Sequence, residues 1–132
     1  MPSEPSELRA IAETALGALN TGDLDGFLSV VADDVEFTSM ILEVEGATYR
    51  GRDGVRVWWE TVRRTFEDVR WELLGLVEMD HKGVAKLRAA ATLGGGQIDQ
   101  LVWQAATFSD GRLTWWEFFR SEEEALGAVA HR

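Results

Sequence analysis

The chain has 132 residues, 23 of them acidic and 13 basic, so its formal net charge is −10 at pH 7. Such a charge repels nucleic-acid phosphates, and the basic residues are interspersed with acidic ones, so we expect no nucleic-acid partner. No cysteine is present, which excludes disulfides and thiolate chemistry. We expect residues 1–132 to form a single domain.

The beginning of the sequence, MPSEPSEL, lacks the basic and apolar regions of a signal peptide. No apolar stretch of the chain approaches the ~18 residues that a membrane-spanning helix needs. Together with the lack of cysteine, these features predict a cytoplasmic protein without a membrane partner.

Two helices are predicted at the start of the chain. Apolar residues from Leu8 to Leu19 recur at helical spacing behind Ser6, which is a favourable helix cap. The sequence Asn-Thr-Gly ends this helix, and Asp23 is expected to cap a second, shorter one.

A strand and a third helix are predicted next. Residues 34–40, DVEFTSM, have the composition of a strand, and a looser stretch containing glycine follows. Asp53 is expected to cap a helix whose apolar stripe includes Val55, Trp59 and Val62.

Four segments rich in β-branched and aromatic residues follow, separated by short polar or glycine-rich turns. The segments are VRWELLGLVEM, GVAKLRAAATL, QIDQLVWQAATF and RLTWWEFF, and the turns are DHKG, GGG and SDG. Turns of this chemistry join antiparallel neighbours, so we predict a four-stranded meander. The acidic residues after Ser121 predict a closing helix. This order predicts an α+β domain in which one curved antiparallel sheet wraps helices on one side.

Three segments resemble the SnoaL-like branch of the nuclear transport factor 2-like superfamily: residues 19–40, 49–59 and 107–126. The resemblance rests on an N-x-G-D-x-D junction, a G-x-D-G-V helix start and a D-G-R turn. It implies a cone-shaped domain that encloses one deep, mostly apolar pocket, commonly within a homodimer. Such families include ketosteroid isomerases, limonene epoxide hydrolases, polyketide cyclases and small-molecule binders, so the fold alone does not assign an activity.

The catalytic patterns of these relatives are mostly missing. The positions that match the isomerase base and tyrosine hold Ser39 and Ala15. The first-strand positions of the epoxide hydrolases hold Phe37 and Ser39, and their last-strand aspartate position holds Phe118. The cyclases have an acidic residue at the end of the last strand. The only acidic residue near that position here is Glu117, which does not align with it. We therefore name no catalytic residue.

The turn SDG, residues 109–111, decides which face of the last strand Glu117 occupies. A three-residue loop places Gln104 opposite Trp116 and turns Glu117 outward. A two-residue Asp-Gly turn shifts the register by one residue and places Glu117 opposite Gln104. We favour the longer loop, because a serine precedes Asp-Gly and the resemblance points Trp116 and Phe118 into the pocket.

This register and the resemblance define the expected ligand-binding residues: Phe37, Ser39, Trp59, Arg88, Gln100, Val102, Gln104, Trp116 and Phe118. Arg88 is included because a Leu93–Gln97 pairing across the GGG turn places it on the Gln104 face. There its guanidinium could orient a carboxylate or enolate oxygen of a ligand. The alternative is an exposed charge paired with Glu72 or Asp99.

Four apolar residues share the opposite face, and we expect a homodimer to cover them. They are Leu101, Trp103, Trp115 and Phe119. His81 and His131 fall in a turn and in the tail, and no spacing of His, Asp or Glu suggests a metal site, so no metal or cofactor is expected.

Two classes of function stay open. One is an isomerase, cyclase or hydrolase that acts on a small apolar carbonyl or polyketide-like compound. The other is a non-catalytic protein that binds a small apolar ligand, or a dimeric interaction module. Both classes share the binding of a small molecule or partner by an apolar surface, and we predict small-molecule binding.

Overall fold

The computed structural model of the protein describes residues 6–38 and 48–132. The elements within these ranges are α1 (Glu7–Thr21), α2 (Leu24–Leu28), β1 (Val31–Thr38), β2 (Thr48–Arg50), α3 (Gly51–Thr65), β3 (Glu67–Met79), β4 (Lys82–Leu93), β5 (Gly96–Ser109), β6 (Arg112–Phe119) and α4 (Glu122–Ala130). No helix in the described ranges has both the length and the hydropathy to cross a membrane.

The strands form one sheet in the order β2-β1-β6-β5-β4-β3. The predicted α+β class and the four-stranded meander of β3 to β6 are confirmed. The sheet is mixed rather than wholly antiparallel, because β1 lies parallel to β6. The short strand β2 falls within the stretch for which no element was predicted.

Two of the three predicted helix caps, Ser6 and Asp23, are present, and Ser121 caps α4 as well. Ser6, Asp23 and Ser121 each accept a hydrogen bond from a backbone N–H in the first turn of their helix. The predicted cap of α3 is wrong. That helix begins at Gly51 without a side-chain cap, and Asp53 lies inside its first turn. An acidic residue is favourable there as well, because the N-terminal end of a helix carries partial positive charge.

The sheet curves strongly around the helices of its concave face. In a flat sheet, β3 and β6 would lie roughly 14 Å apart, since they are separated by three strand spacings. The rings of Trp71 on β3 and Phe118 on β6 nevertheless stack with their centroids 5.9 Å apart. The main core fills this concave side against α1, α2 and α3, and a second, smaller core lies under α4 on the convex side.

Asn20 fastens the end of α1 to the outermost strand, β3. Its side-chain Nδ2 donates to the carbonyl oxygen of Trp71 at 2.9 Å, and its Oδ1 accepts from the Trp71 N–H at 2.7 Å. One side chain therefore satisfies both backbone groups of an edge-strand residue, which would otherwise need water or another chain.

Two predicted hairpin registers are wrong, because both turns contain two residues instead of the predicted three. Leu93 pairs with Gly96 instead of Gln97, and Ser109 pairs with Arg112. The central residues of both turns have positive φ, with Asp110 at 53° and Gly111 at 76° in the second. A two-residue turn of this kind matches the twist of the flanking strands, and aspartate and glycine tolerate the left-handed conformation well.

A bulge in β6 restores the faces that the shorter turn would have exchanged. Phe108 pairs with Leu113 but Thr107 pairs with Trp115, so Thr114 is an extra residue in β6. Gln104 therefore faces Phe118, not Trp116 as predicted.

The predicted faces of β6 are nevertheless found. Trp116 and Phe118 are buried in the main core with 1% and 3% of their surface exposed. Glu117 pairs with Ala105, which belongs to the core of the convex side. Because side chains alternate along a strand, Glu117 lies on the face away from Trp116 and Phe118.

Insertion of one alanine after Thr114 should shift the rest of β6 by one position and so turn Trp116 and Phe118 to the convex side. Because misplacing one large core aromatic costs about 3–5 kcal/mol, we expect the variant to be largely unfolded in urea titrations followed by tryptophan fluorescence. Thr114→Ala is the control: it keeps the bulge and loses only the 2.7 Å hydroxyl contact with Thr107, at about 1 kcal/mol. Equal stability of the two variants would show that the number of residues between the turn and Trp116 does not set these faces.

Candidate functional site

A narrow cavity lies between α1 and the concave face of the sheet. Its volume is about 30 Å³, room for about two water molecules. Aliphatic side chains of α1, β4, β5 and β6 form most of its lining, and the aromatic and polar remainder is Phe27, Trp58, Trp71, Gln104, Trp116 and Phe118. The cavity is thus much smaller than the deep pocket that the family resemblance implies.

The aromatic rings around the cavity are packed against one another. Phe37 stacks on Trp116 with centroids 4.2 Å apart, and its ring meets Trp58 edge-on at 5.6 Å. Phe27 on α2 meets both indoles, at 5.9 Å from Trp58 and 6.0 Å from Trp116. Contacts of this geometry stabilise aromatic clusters beyond the burial of their area, so these walls are firmly held.

Among the described residues, the cavity lining contains no ionisable side chain. The polar side chains of the lining residues are the amide of Gln104 and the indoles of Trp58, Trp71 and Trp116. A proton-transfer reaction needs an acid or a base within hydrogen-bond reach of the reacting atom. The described lining offers neither, and no group of three His, Cys, Asp or Glu residues in the described ranges could hold a metal ion.

Three indole nitrogens of the lining have no hydrogen-bond partner in the protein. They are Nε1 of Trp58, Trp71 and Trp116, all inaccessible to solvent. An indole nitrogen can only donate, and a buried donor without an acceptor costs about 1–3 kcal/mol. On the convex side, Nε1 of Trp103 is also buried without a hydrogen-bond partner.

A wider groove of about 520 Å³ adjoins the cavity at the ends of α1 and α3 and the start of β3. Leu19 and Trp58 border both the cavity and the groove, so these side chains lie between the two spaces. Arg63 lies in this groove, where its guanidinium is close to Gly22 at the end of α1.

The structure brings three of the predicted site residues together in the cavity lining: Gln104, Trp116 and Phe118. Phe37 lies one layer further out, stacked on Trp116. Val102 is buried in the main core as the cross-strand partner of Leu87, and it does not border the cavity.

Two further predicted residues lie away from the cavity, and one cannot be placed. Trp59 borders the groove. Gln100 is exposed and borders a separate void of about 20 Å³ together with Phe66. Ser39 lies outside the described residues.

The predicted orientation of Arg88 is wrong. The two-residue Gly94-Gly95 turn pairs Arg88 with Leu101 and so places it on the convex face. Its Nε donates to Oδ1 of Asp99 at 2.9 Å, the ion pair that was the alternative interpretation. This hydrogen bond lowers the pKa of the Asp99 carboxyl and raises the pKa of the Arg88 guanidinium.

Sequence reasoning missed two of the lining tryptophans, although a signal for each was present. Trp58 lies three residues after Val55 and four before Val62, on the same helical stripe as the predicted Trp59. Trp71 alternates with the polar residues Arg70 and Glu72, the pattern of a strand with one buried face.

The predicted apolar face on the convex side is partly covered by α4. Trp115 is buried there beside Ala125 of α4, and the Arg132 guanidinium lies 3.7 Å from the centre of its ring. Trp103 and Phe119 are half-buried at the edge of this second core, and Leu101 is 46% exposed.

Residues 12–120 match the family model described as the SnoaL-like domain. An NTF2-like protein of unknown function from Burkholderia pseudomallei has a similar structure, with a TM-score of 0.77 at 20% identity over 94% of this chain and 98% of that one. TerC, co-crystallised with polyporic acid, gives a TM-score of 0.77 at 20% identity over 96% and 100%. An LEH-like epoxide hydrolase of M. tuberculosis gives a TM-score of 0.72 at 16% identity, over 95% of this chain and 90% of that one.

At these identities the likeness to solved structures is one of fold. A search of curated proteins found no match to the sequence.

Proposed function

Because the chain belongs to the SnoaL-like domain family, we propose that it binds a small, apolar, uncharged molecule between α1 and the concave face of its sheet. The observation that carries this proposal is the cavity itself: aromatic on several sides, with a few polar groups and no ionisable side chain in its described lining. The co-crystallisation of the relative TerC with polyporic acid supports a similar use of the fold here.

Binding requires the cavity to widen, since its volume of about 30 Å³ is far below that of an organic ligand. Leu19 is the side chain best suited to move. It is half-buried and lies between the cavity and the groove of about 520 Å³, whereas Trp58 is only 1% exposed. Rotation of Leu19 would join the two spaces, so that a ligand enters from the groove and its apolar end reaches Trp71 and Phe118.

We propose binding rather than proton-transfer catalysis. The isomerase, cyclase and hydrolase chemistries named by the family resemblance depend on a carboxylate placed beside the substrate. The described lining of the cavity has none, and Glu117, the acidic residue nearest to it on β6, lies on the opposite face of that strand.

Ala15→Leu should abolish ligand binding by filling the cavity from α1, where Ala15 is part of the lining. We suggest titrating indane and fluorene and their ketones, indanone and fluorenone, by calorimetry. At least one should bind wild type with a dissociation constant of about 100 µM or lower, and the variant should bind at least tenfold more weakly.

Glu117→Gln is the matched control, and its affinity should equal that of wild type. Circular dichroism melting of both variants distinguishes a blocked cavity from lost folding. The proposal fails if no probe binds wild type, or if Glu117→Gln weakens binding as much as Ala15→Leu.

We also propose that the protein forms a homodimer through the convex face that holds Leu101, Trp103, Trp115 and Phe119. Since α4 already covers Trp115, the contact would be made by the other three residues beside that helix. The exposed Leu74 and Val77 on the neighbouring part of β3 would enlarge this apolar surface.

Trp103→Glu should convert the dimer to a monomer in sedimentation velocity at micromolar concentration, because it places a charge in an apolar contact. Val57→Glu is the control: Val57 is 56% exposed on α3, away from this face, so the variant should stay dimeric. Monomeric wild type at the same concentration would contradict the proposal.

A further inference from the structure

The polar groups of the residues that line this cavity are mostly donors. Trp58, Trp71 and Trp116 come from α3, β3 and β6, and each has an indole N–H that no protein atom accepts. All three are at most 5% exposed, so bulk water does not reach these groups. The amide of Gln104 is the only other polar side chain in the described lining, and it can both donate and accept.

Phenylalanine would fill much of the same space in each place without burying a donor. A tryptophan whose N–H is unpaired carries a cost that a partner removes, and a bound acceptor atom is such a partner. Three such residues in the lining of one cavity therefore indicate, more strongly than one would, that its ligand carries a hydrogen-bond acceptor.

Two of the three indole rings share the same aromatic neighbours. Trp58 and Trp116 both contact the rings of Phe27 and Phe37, at centroid distances between 4.2 and 6.0 Å. A carbonyl oxygen has two lone pairs and can accept from two donors at once. Trp71 stacks on Phe118 at another part of the wall, where a flat ring would meet aromatic faces.

We propose, on the basis of the proposed function, that Trp58, Trp71 and Trp116 select an uncharged ligand by donating their indole N–H groups to its acceptor oxygen. The ligand class is a flat aromatic molecule with a carbonyl or ether oxygen. A charged group is disfavoured because the described lining has no opposite charge to pair with it. A molecule without an acceptor leaves the indole donors unpaired.

The matched pairs fluorenone and fluorene, and indanone and indane, differ only by a carbonyl in place of a methylene group. Each ketone should bind about tenfold more tightly than its hydrocarbon, the ratio that one buried neutral hydrogen bond supports. The chain has six tryptophans, so its nitrogen-15 spectrum has six indole N–H signals to follow. Ketones, but not hydrocarbons, should shift at least one of the signals of Trp58, Trp71 and Trp116 downfield.

Replacement of each of these tryptophans by phenylalanine keeps an aromatic ring and removes the donor. At least one of Trp58→Phe, Trp71→Phe and Trp116→Phe should reduce the ratio of ketone to hydrocarbon affinity to about one, with the hydrocarbon affinity nearly unchanged. Trp103→Phe is the control, because Trp103 has a buried, unpaired indole on the convex face. It should keep the wild-type ratio.

The outcomes separate this inference from the proposed function. If hydrocarbons bind as tightly as ketones and the indole signals do not move, the indoles do not select the ligand, while the cavity still binds one. If the ketone preference survives in all three phenylalanine variants, the donor is another group and the inference is wrong. If neither class of probe binds, both proposals fail.

Discussion

The bulge at Thr114 is the feature on which the concave face depends. The Asp-Gly turn before β6 contains two residues, and in a regular hairpin this register would point Glu117 toward the helices. One extra residue in β6 reverses the alternation, so two aromatic side chains line the cavity and the carboxylate lies on the other side. A single backbone irregularity therefore decides between an acidic and an apolar cavity.

Curvature and helix docking then determine the size of the cavity. The hydrogen bonds of Asn20 to Trp71 bring the outermost strand against α1 and help hold the sheet closed around the helices. The apolar stripe of α1, from Leu8 to Leu19, fills most of the enclosed space. The remaining cavity is narrow, is lined by aliphatic and aromatic side chains, and shares Leu19 and Trp58 with a larger groove.

Local sequence patterns predicted the helices, two of the three expected caps and the long strands, because spacing and capping chemistry act over a few residues. They did not predict strand register. Serine-aspartate-glycine and triple glycine are compatible with two- and three-residue loops, and one residue of difference moved Arg88 to the convex face. In β6 the bulge restores the predicted faces although the predicted register is wrong. In β4 the wrong register also gives the wrong face for Arg88.

Local patterns also did not predict that α4 covers Trp115, since this contact depends on where a helix at the end of the chain docks. Of the candidate site, the sequence predicted the aromatic residues of β6 and Gln104. It missed Trp58 of α3 and Trp71 of β3, whose place beside the cavity follows from tertiary packing of elements far apart in the chain.

The account centres on one claim, that the space between α1 and the concave face is a ligand site. A crystal structure of the protein grown with fluorenone tests it most directly. The account predicts the ligand beside Trp71 and Phe118, with Leu19 rotated and the ketone oxygen within hydrogen-bond distance of an indole nitrogen. Fluorenone bound only in an outer groove or on the convex face, with the cavity unchanged, would contradict it.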